Sequence, residues 1–200
     1  TQQKQEKYSR AVDAFLIANS YDNKNISYLF EIARVYNSLN KFTESIEYYD
    51  KIAQIETSYD LYYERGIIYD KMGNTQKTIE DLNAAYTLNS SDIKLILLLG
   101  NALFKSGKND QALSKFQKVI TIDKNQAEAH FSIGKIIESQ GKAEKAVSYY
   151  ENAIRLDPKV GVYYYQLGFL YKGLGKYQKA LKIFKAYLKN IPDTPDKNEI

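Results

Sequence analysis

One spacing constrains this chain more than any other feature. Gly66, Gly100, Gly134 and Gly168 follow one another at intervals of 34 residues, and Ala33 precedes Gly66 by 33. Three further rows run in phase with them. Seven residues after each small residue stands Asn40, Gly73, Gly107, Gly141 or Gly175. Twelve residues after it stands Ser45, Thr78, Ala112, Ala146 or Ala180, and four residues beyond those stands Tyr49, Leu82, Phe116, Tyr150 or Phe184. Self-similarity at a fixed period of this length marks stacked supersecondary units. The Gly or Asn row suits a helix end that closes in the left-handed region. Each period therefore reads as helix, short turn, helix. In the unit that opens at Ala127, Ile133, Ile136 and Ile137 belong to the first helix. Ala146, Val147, Tyr150, Ala153 and Ile154 then give the second helix one apolar stripe. Such a pair buries little alone, and stacking makes the core continuous.

Composition narrows the function classes. Of the 200 residues 44% are apolar and 26% charged, as in folded globular proteins. Pro and Gly are few, which favours an all-helical chain. The longest apolar run, Leu95 to Leu99, is far shorter than the ~18 residues of a membrane span. With no Cys, thiolate metal sites, disulfides and cysteine nucleophiles are excluded. The single histidine, His130, is expected to be a packed inter-helix residue. Its nearest acid, Glu128, lies two positions away, where helical side chains do not face each other. No acid/base pair, metal cluster or phosphate-binding glycine loop can be nominated, so neither a catalytic centre nor a cofactor is expected.

The in-phase rows resemble the tetratricopeptide repeat family. Tyr164, Leu167, Gly168, Tyr171, Ala180, Phe184 and Pro192 carry the family pattern best, and Ile133, Gly134, Ala146, Tyr150, Ala153 and Pro158 come next. Five full units are expected at 26–58, 59–92, 93–126, 127–160 and 161–192. Residues 1–25 carry the second helix of a partial unit, with Tyr8, Ala11, Val12, Phe15 and Ala18 in phase, and 193–200 form a flexible tail. The resemblance implies an all-α, right-handed superhelical solenoid. A chain that opens at Thr1 on a lone second helix is expected to be part of a longer array or a cut piece.

Several positions depart from the pattern. Arg65 stands where Leu is usual, Ser45 and Thr78 replace Ala, and Tyr187 replaces a small residue in the last unit. A bulky Tyr187 is expected to end the array and, with Leu188, to offer an apolar face for end-to-end contact.

The resemblance also implies that first helices line a concave groove. Its fifth-position row reads Phe30, Tyr63, Leu97, Phe131 and Tyr165, an apolar ladder suited to anchors of a partner peptide or helix. Arg34, Ile67, Asn101, Phe104, Lys135 and Phe169 are the expected neighbours that select and rim. The family's two-carboxylate clamp is not assembled: Phe30 accompanies Arg34, Leu97 accompanies Asn101, and Phe131 accompanies Lys135. The expected function is a non-catalytic protein-interaction scaffold with a protein or peptide partner and no small-molecule substrate. Self-association through open ends is the alternative, and single-stranded RNA binding ranks below both.

Net charge is +4, but it is uneven. Residues 26–92 carry 6 basic and 11 acidic groups, whereas 93–200 carry 18 and 10. This asymmetry could orient a partner along the groove. Lys179, Lys182, Lys185 and Lys189 form a stripe that is expected to be a solvated outer helix face.

Overall fold

The helix ends show why the chain folds in periods. In the computed structural model, residues 2–22 and 24–191 are described; Pro192 and the expected tail lie outside them. Eleven helices and no strand occur among the described residues. The chain divides into two units, Thr1–Leu95 and Ile96–Ile200. The first holds α1 (Gln2–Tyr21), α2 (Ile26–Ser38), α3 (Phe42–Ala53), α4 (Tyr59–Lys71) and α5 (Thr75–Leu88). Helix α6 (Ile93–Lys105) runs from the first unit into the second. The second continues with α7 (Asn109–Ile122), α8 (Ala127–Ser139), α9 (Ala143–Leu156), α10 (Gly161–Gly173) and α11 (Tyr177–Asn190).

Five first helices close with one motif. Asn40, Gly73, Gly107, Gly141 and Gly175 all have positive φ, between 58° and 78°. The amide of the next residue bonds back to the carbonyl five positions before it, as in Lys108 to Leu103 (2.9 Å) and Lys176 to Tyr171 (2.9 Å). This satisfies carbonyls that a helix end leaves open, at a backbone angle that Gly and Asn tolerate. Asn25, Ser58 and Asn74 cap the starts of α2, α4 and α5 through side-chain oxygens.

Packing follows the rows. In the first unit Leu29, Ala33, Tyr49, Ile52, Leu61 and Ile68 form a buried cluster. In the second, Ala146, Tyr150, Leu167, Leu170, Tyr171 and Ala180 do the same. The small-residue row admits the side chain sixteen positions later. A Cβ on Gly134 would sit 2.6 Å from Tyr150 Cε1, and one on Gly168 2.3 Å from Phe184 Cε1.

The departures from the pattern have local explanations. Ser45 Oγ donates to the Ala33 carbonyl (2.7 Å) and Thr78 Oγ1 to that of Asn74 (3.0 Å), so both buried hydroxyls are satisfied. Arg65 is tied by a fork to buried Asp81, Nε to Oδ2 and Nη2 to Oδ1 at 2.8 Å each, while its Nη1 reaches Asp50 Oδ1 at 2.7 Å. One guanidinium thus joins α3, α4 and α5. Tyr187 corrects an expectation. It is 4% exposed, stacked on Tyr164 with ring centroids 6.1 Å apart. Its ring fills the space above Gly161, where a Cβ would meet Tyr187 Cε2 at 2.8 Å. Ala127 and Ala153 occupy these places one repeat earlier, so a smaller residue on α10 offsets the larger one on α11.

Candidate functional site

Residues four apart on a helix share a face, and the first helices of each unit present such rows. In the first unit Phe30 lies edge-on to Tyr49, with centroids 5.9 Å apart, and Tyr63 stacks on Tyr59 at 5.5 Å. Phe30, Tyr63 and Ile67 are half-buried.

Arg34 is engaged within the chain. Nε and Nη2 donate to Glu64, the shortest bond being 2.6 Å, and Nη1 donates to Glu31 Oε1 at 2.8 Å. Tyr49 Oη donates to Glu64 Oε2 at 2.6 Å. Beside them, Tyr59 Oη donates to Asp92 Oδ2 at 2.6 Å, and the amides of Lys94 and Leu95 donate to Asp92 Oδ1. Burial alone would raise the Asp92 carboxyl, but these hydrogen bonds hold it below its ordinary value and so anionic.

The second unit repeats the logic with different residues. Phe131 packs 4.8 Å from Tyr163 and 5.4 Å from Tyr150. Lys135 Nζ lies over two rings, Phe104 at 5.3 Å and Phe131 at 5.9 Å, so its charge is stabilised by both faces. Asn101 donates to Glu128 at 3.2 Å. Tyr165 and Phe169 are in contact at 4.5 Å, and Phe169 remains 38% exposed with Lys172 above it at 5.5 Å. Glu138 accepts from Tyr150 Oη at 2.5 Å and from Gln166 Nε2 at 2.8 Å.

Leu97 departs from the expected ladder. It is only 8% exposed, because α6 carries the run Leu95–Leu99 and is apolar around most of its circumference. Leu97 therefore belongs to the core and offers no surface anchor. Glu64, Glu31, Tyr49 and Gln166 were missed as site residues. Glu64 and Gln166 hold equivalent places 102 residues apart, three periods of the repeat, and each meets the hydroxyl of a repeat-row tyrosine or that hydroxyl's carboxylate partner.

His130 is half-buried, its Nε2 3.1 Å from the Lys124 carbonyl and its ring beside Tyr149. Among the described residues no three His, Asp or Glu side chains converge as metal ligands, and no helix is long and apolar enough to cross a membrane. Lys179, Lys182, Lys185 and Lys189 are all exposed on α11.

The buried tyrosines give a pH prediction. Burial pushes Tyr163 up to about 12, assisted by Glu128 and Asp157. Burial pushes Tyr171 up to about 12 as well, assisted by Glu151. Burial and then their carboxylate acceptors raise Tyr49 and Tyr150 further. Above pH 10, the ordinary tyrosine value, the unfolded chain releases protons that the folded chain retains. The unfolded state then binds fewer protons, so stability falls as pH rises from 10 through about 12. Urea midpoints should drop over this window, with the buried tyrosines' share of the tyrosinate absorbance appearing together with unfolding. A midpoint flat across that window contradicts the assignment.

Family models described as tetratricopeptide repeat match residues 26–58, 59–92 and 139–196, and one described as TPR repeat matches 100–141. The chain belongs to the tetratricopeptide repeat family. A 77-residue segment is 31% identical to TPR repeat-containing protein MJ1428 of Methanocaldococcus jannaschii, covering 38% of this chain and 14% of that relative. The chain thus spans a small part of the curated relative it matches. Among solved structures, MamA superposes with a TM-score of 0.74 at 25% identity, covering 80% of this chain and 94% of that one. MamA from Desulfovibrio magneticus RS-1 reaches a TM-score of 0.76 at 19% identity, over 82% and 94%. YrrB, described as a TPR protein with an unusual peptide-binding site, gives 0.72 at 22% identity, over 92% and 95%. These likenesses establish an all-α solenoid of repeats.

Proposed function

We propose that this tetratricopeptide repeat chain is a non-catalytic scaffold that binds a peptide or helix of a partner protein along its first-helix faces. The supporting observation is a difference in how the rows are used. In the second-helix row Tyr49, Phe116 and Tyr150 are fully buried and Phe184 is half-buried, whereas in the first-helix rows Phe30, Tyr63, Phe131 and Tyr165 all keep part of their rings accessible and Phe169 more. Rigid, partly exposed aromatic side chains are the usual anchors of protein recognition, since they lose little conformational entropy on binding. The proposed units are 26–58, 59–92, 93–126, 127–160 and 161–192, after a lone second helix.

The test is an affinity capture that compares the chain with its Tyr63→Ala/Phe131→Ala form, which alters one anchor in each unit. A partner held by the wild type should be lost or bound at least tenfold more weakly, with the variant's helical signal retained. Equal capture by a folded variant would remove the first-helix faces from the account.

A second reading is self-association through the exposed face of α11. Leu181 is 49% exposed, although Val147, its counterpart one repeat earlier, packs into the core of the second unit. With Tyr187 buried, an end contact would fall to Leu181 and half-buried Leu188. Mass that rises with concentration and is lost in Leu181→Lys would favour it.

A further inference from the structure

We infer that the first-helix face of the first unit selects a partner segment carrying Lys or Arg beside an apolar side chain. This inference rests on the proposed groove and adds its charge preference. Arg34 is expected from the sequence among the residues that select and rim, and the structure shows its charge already engaged within the chain. Its guanidinium is held by Glu64 through two donor nitrogens and by Glu31 through a third. A carboxylate arriving there would have to displace Glu64, which also accepts from the buried Tyr49 hydroxyl. The triad Glu31, Arg34 and Glu64 therefore presents a surplus of one negative charge.

The neighbouring groups extend this surplus. Asp60 is exposed one turn before Glu64 on α4, and Asp92 is held anionic beside Tyr59. Lys71, further along α4, donates to Asn37 at 2.8 Å, and Lys94 lies near enough to Asp92 to offset its charge, so the surplus rests on Glu31, Glu64 and Asp60. Across residues 26–92, 11 acidic groups stand against 6 basic ones. Phe30, Tyr63 and Ile67, half-buried between these charges, supply the apolar half of the site. An apolar side chain flanked by a cation matches both properties. A cation reaching this face also has the Tyr59/Tyr63 stack beside it, whose ring faces attract positive charge. An acidic segment would meet repulsion at each carboxylate.

The experiment pans a displayed library of random dodecamers against the full chain, the Tyr63→Ala variant and the Glu31→Gln/Asp60→Asn variant. The last leaves the Arg34–Glu64 pair and the core intact. Peptides recovered by the wild type and lost in Tyr63→Ala should be enriched in Lys and Arg. A representative synthetic peptide should bind Glu31→Gln/Asp60→Asn about two- to fivefold more weakly per charge removed, with a smaller salt dependence. Neutral or acidic peptides that still depend on Tyr63 would overturn the cation preference and leave the groove standing. Peptides recovered equally by Tyr63→Ala, or no enrichment at all, would overturn both. If the free chain self-associates and Glu31→Gln/Asp60→Asn abolishes this, the occupant is a second copy and the peptide assignment is wrong.

Discussion

Asp81→Ala is expected to lower the stability of the chain by about 3–5 kcal/mol, among the largest effects a single substitution can have here. The magnitude comes from what remains. The Arg65 side chain is 15% exposed and the Asp81 side chain 8%, so removal of the carboxylate strands a largely desolvated guanidinium. Asp50 still accepts one bond, at 2.7 Å, which places the cost toward the lower end. Replacement of the whole pair is a different matter. Arg65→Leu/Asp81→Leu restores the family's usual residue at the first position and removes both charges, so it should fall near the wild type or above it. Urea denaturation of Arg65→Leu, Asp81→Leu and the double completes the cycle. Additive losses in the double would show that the pair is not coupled.

The second large effect concerns Tyr150, where Tyr150→Ala should cost about 3–5 kcal/mol. Its ring is fully buried against Gly134 and Phe131, and its hydroxyl donates to Glu138. Tyr150→Phe keeps the ring and removes only the charged hydrogen bond, so about 1.5–3 kcal/mol is expected. Gly134→Ala tests the same fit from the other side. Alanine improves helix propensity by about 1 kcal/mol. However, its Cβ would lie 2.6 Å from a ring with nowhere to go, and overpacking of about 1–3 kcal/mol should prevail. A stabilised Gly134→Ala would show that the ring can shift.

The periodic parts of the structure were legible in the sequence because their constraint is local. Asn40 and the four turn glycines occupy backbone angles that other residues resist, and Gly66, Gly100, Gly134 and Gly168 meet side chains at fixed spacing. The first-helix row was legible as a spacing, but the environment of each side chain in it was not. Leu97 shares the spacing of Phe131, yet the surrounding Leu run draws it into the core. Arg34 reads as a groove cation until Glu64, thirty residues on, is seen to hold it. Arg65 reads as a misplaced charge until Asp81 and Asp50 close around it. Tyr187 reads as an obstruction until Gly161 opposite is recognised as the space that receives it. In each case the deciding partner comes from another helix, so the pattern within one helix does not contain it.

On the proposed reading, the first-helix aromatics form the contact surface. Hydroxyl-radical footprinting of the chain with and without its captured partner addresses this most directly, because tyrosine and phenylalanine oxidise readily and this chain has 19 and 8 of them. Protection is predicted at Tyr63, Phe131, Tyr165 and Phe169, while Tyr21 and Tyr177, both well exposed elsewhere, should oxidise as before. Protection of Tyr177 with Tyr63 and Phe169 unchanged would contradict the account and move the binding surface to the second helices.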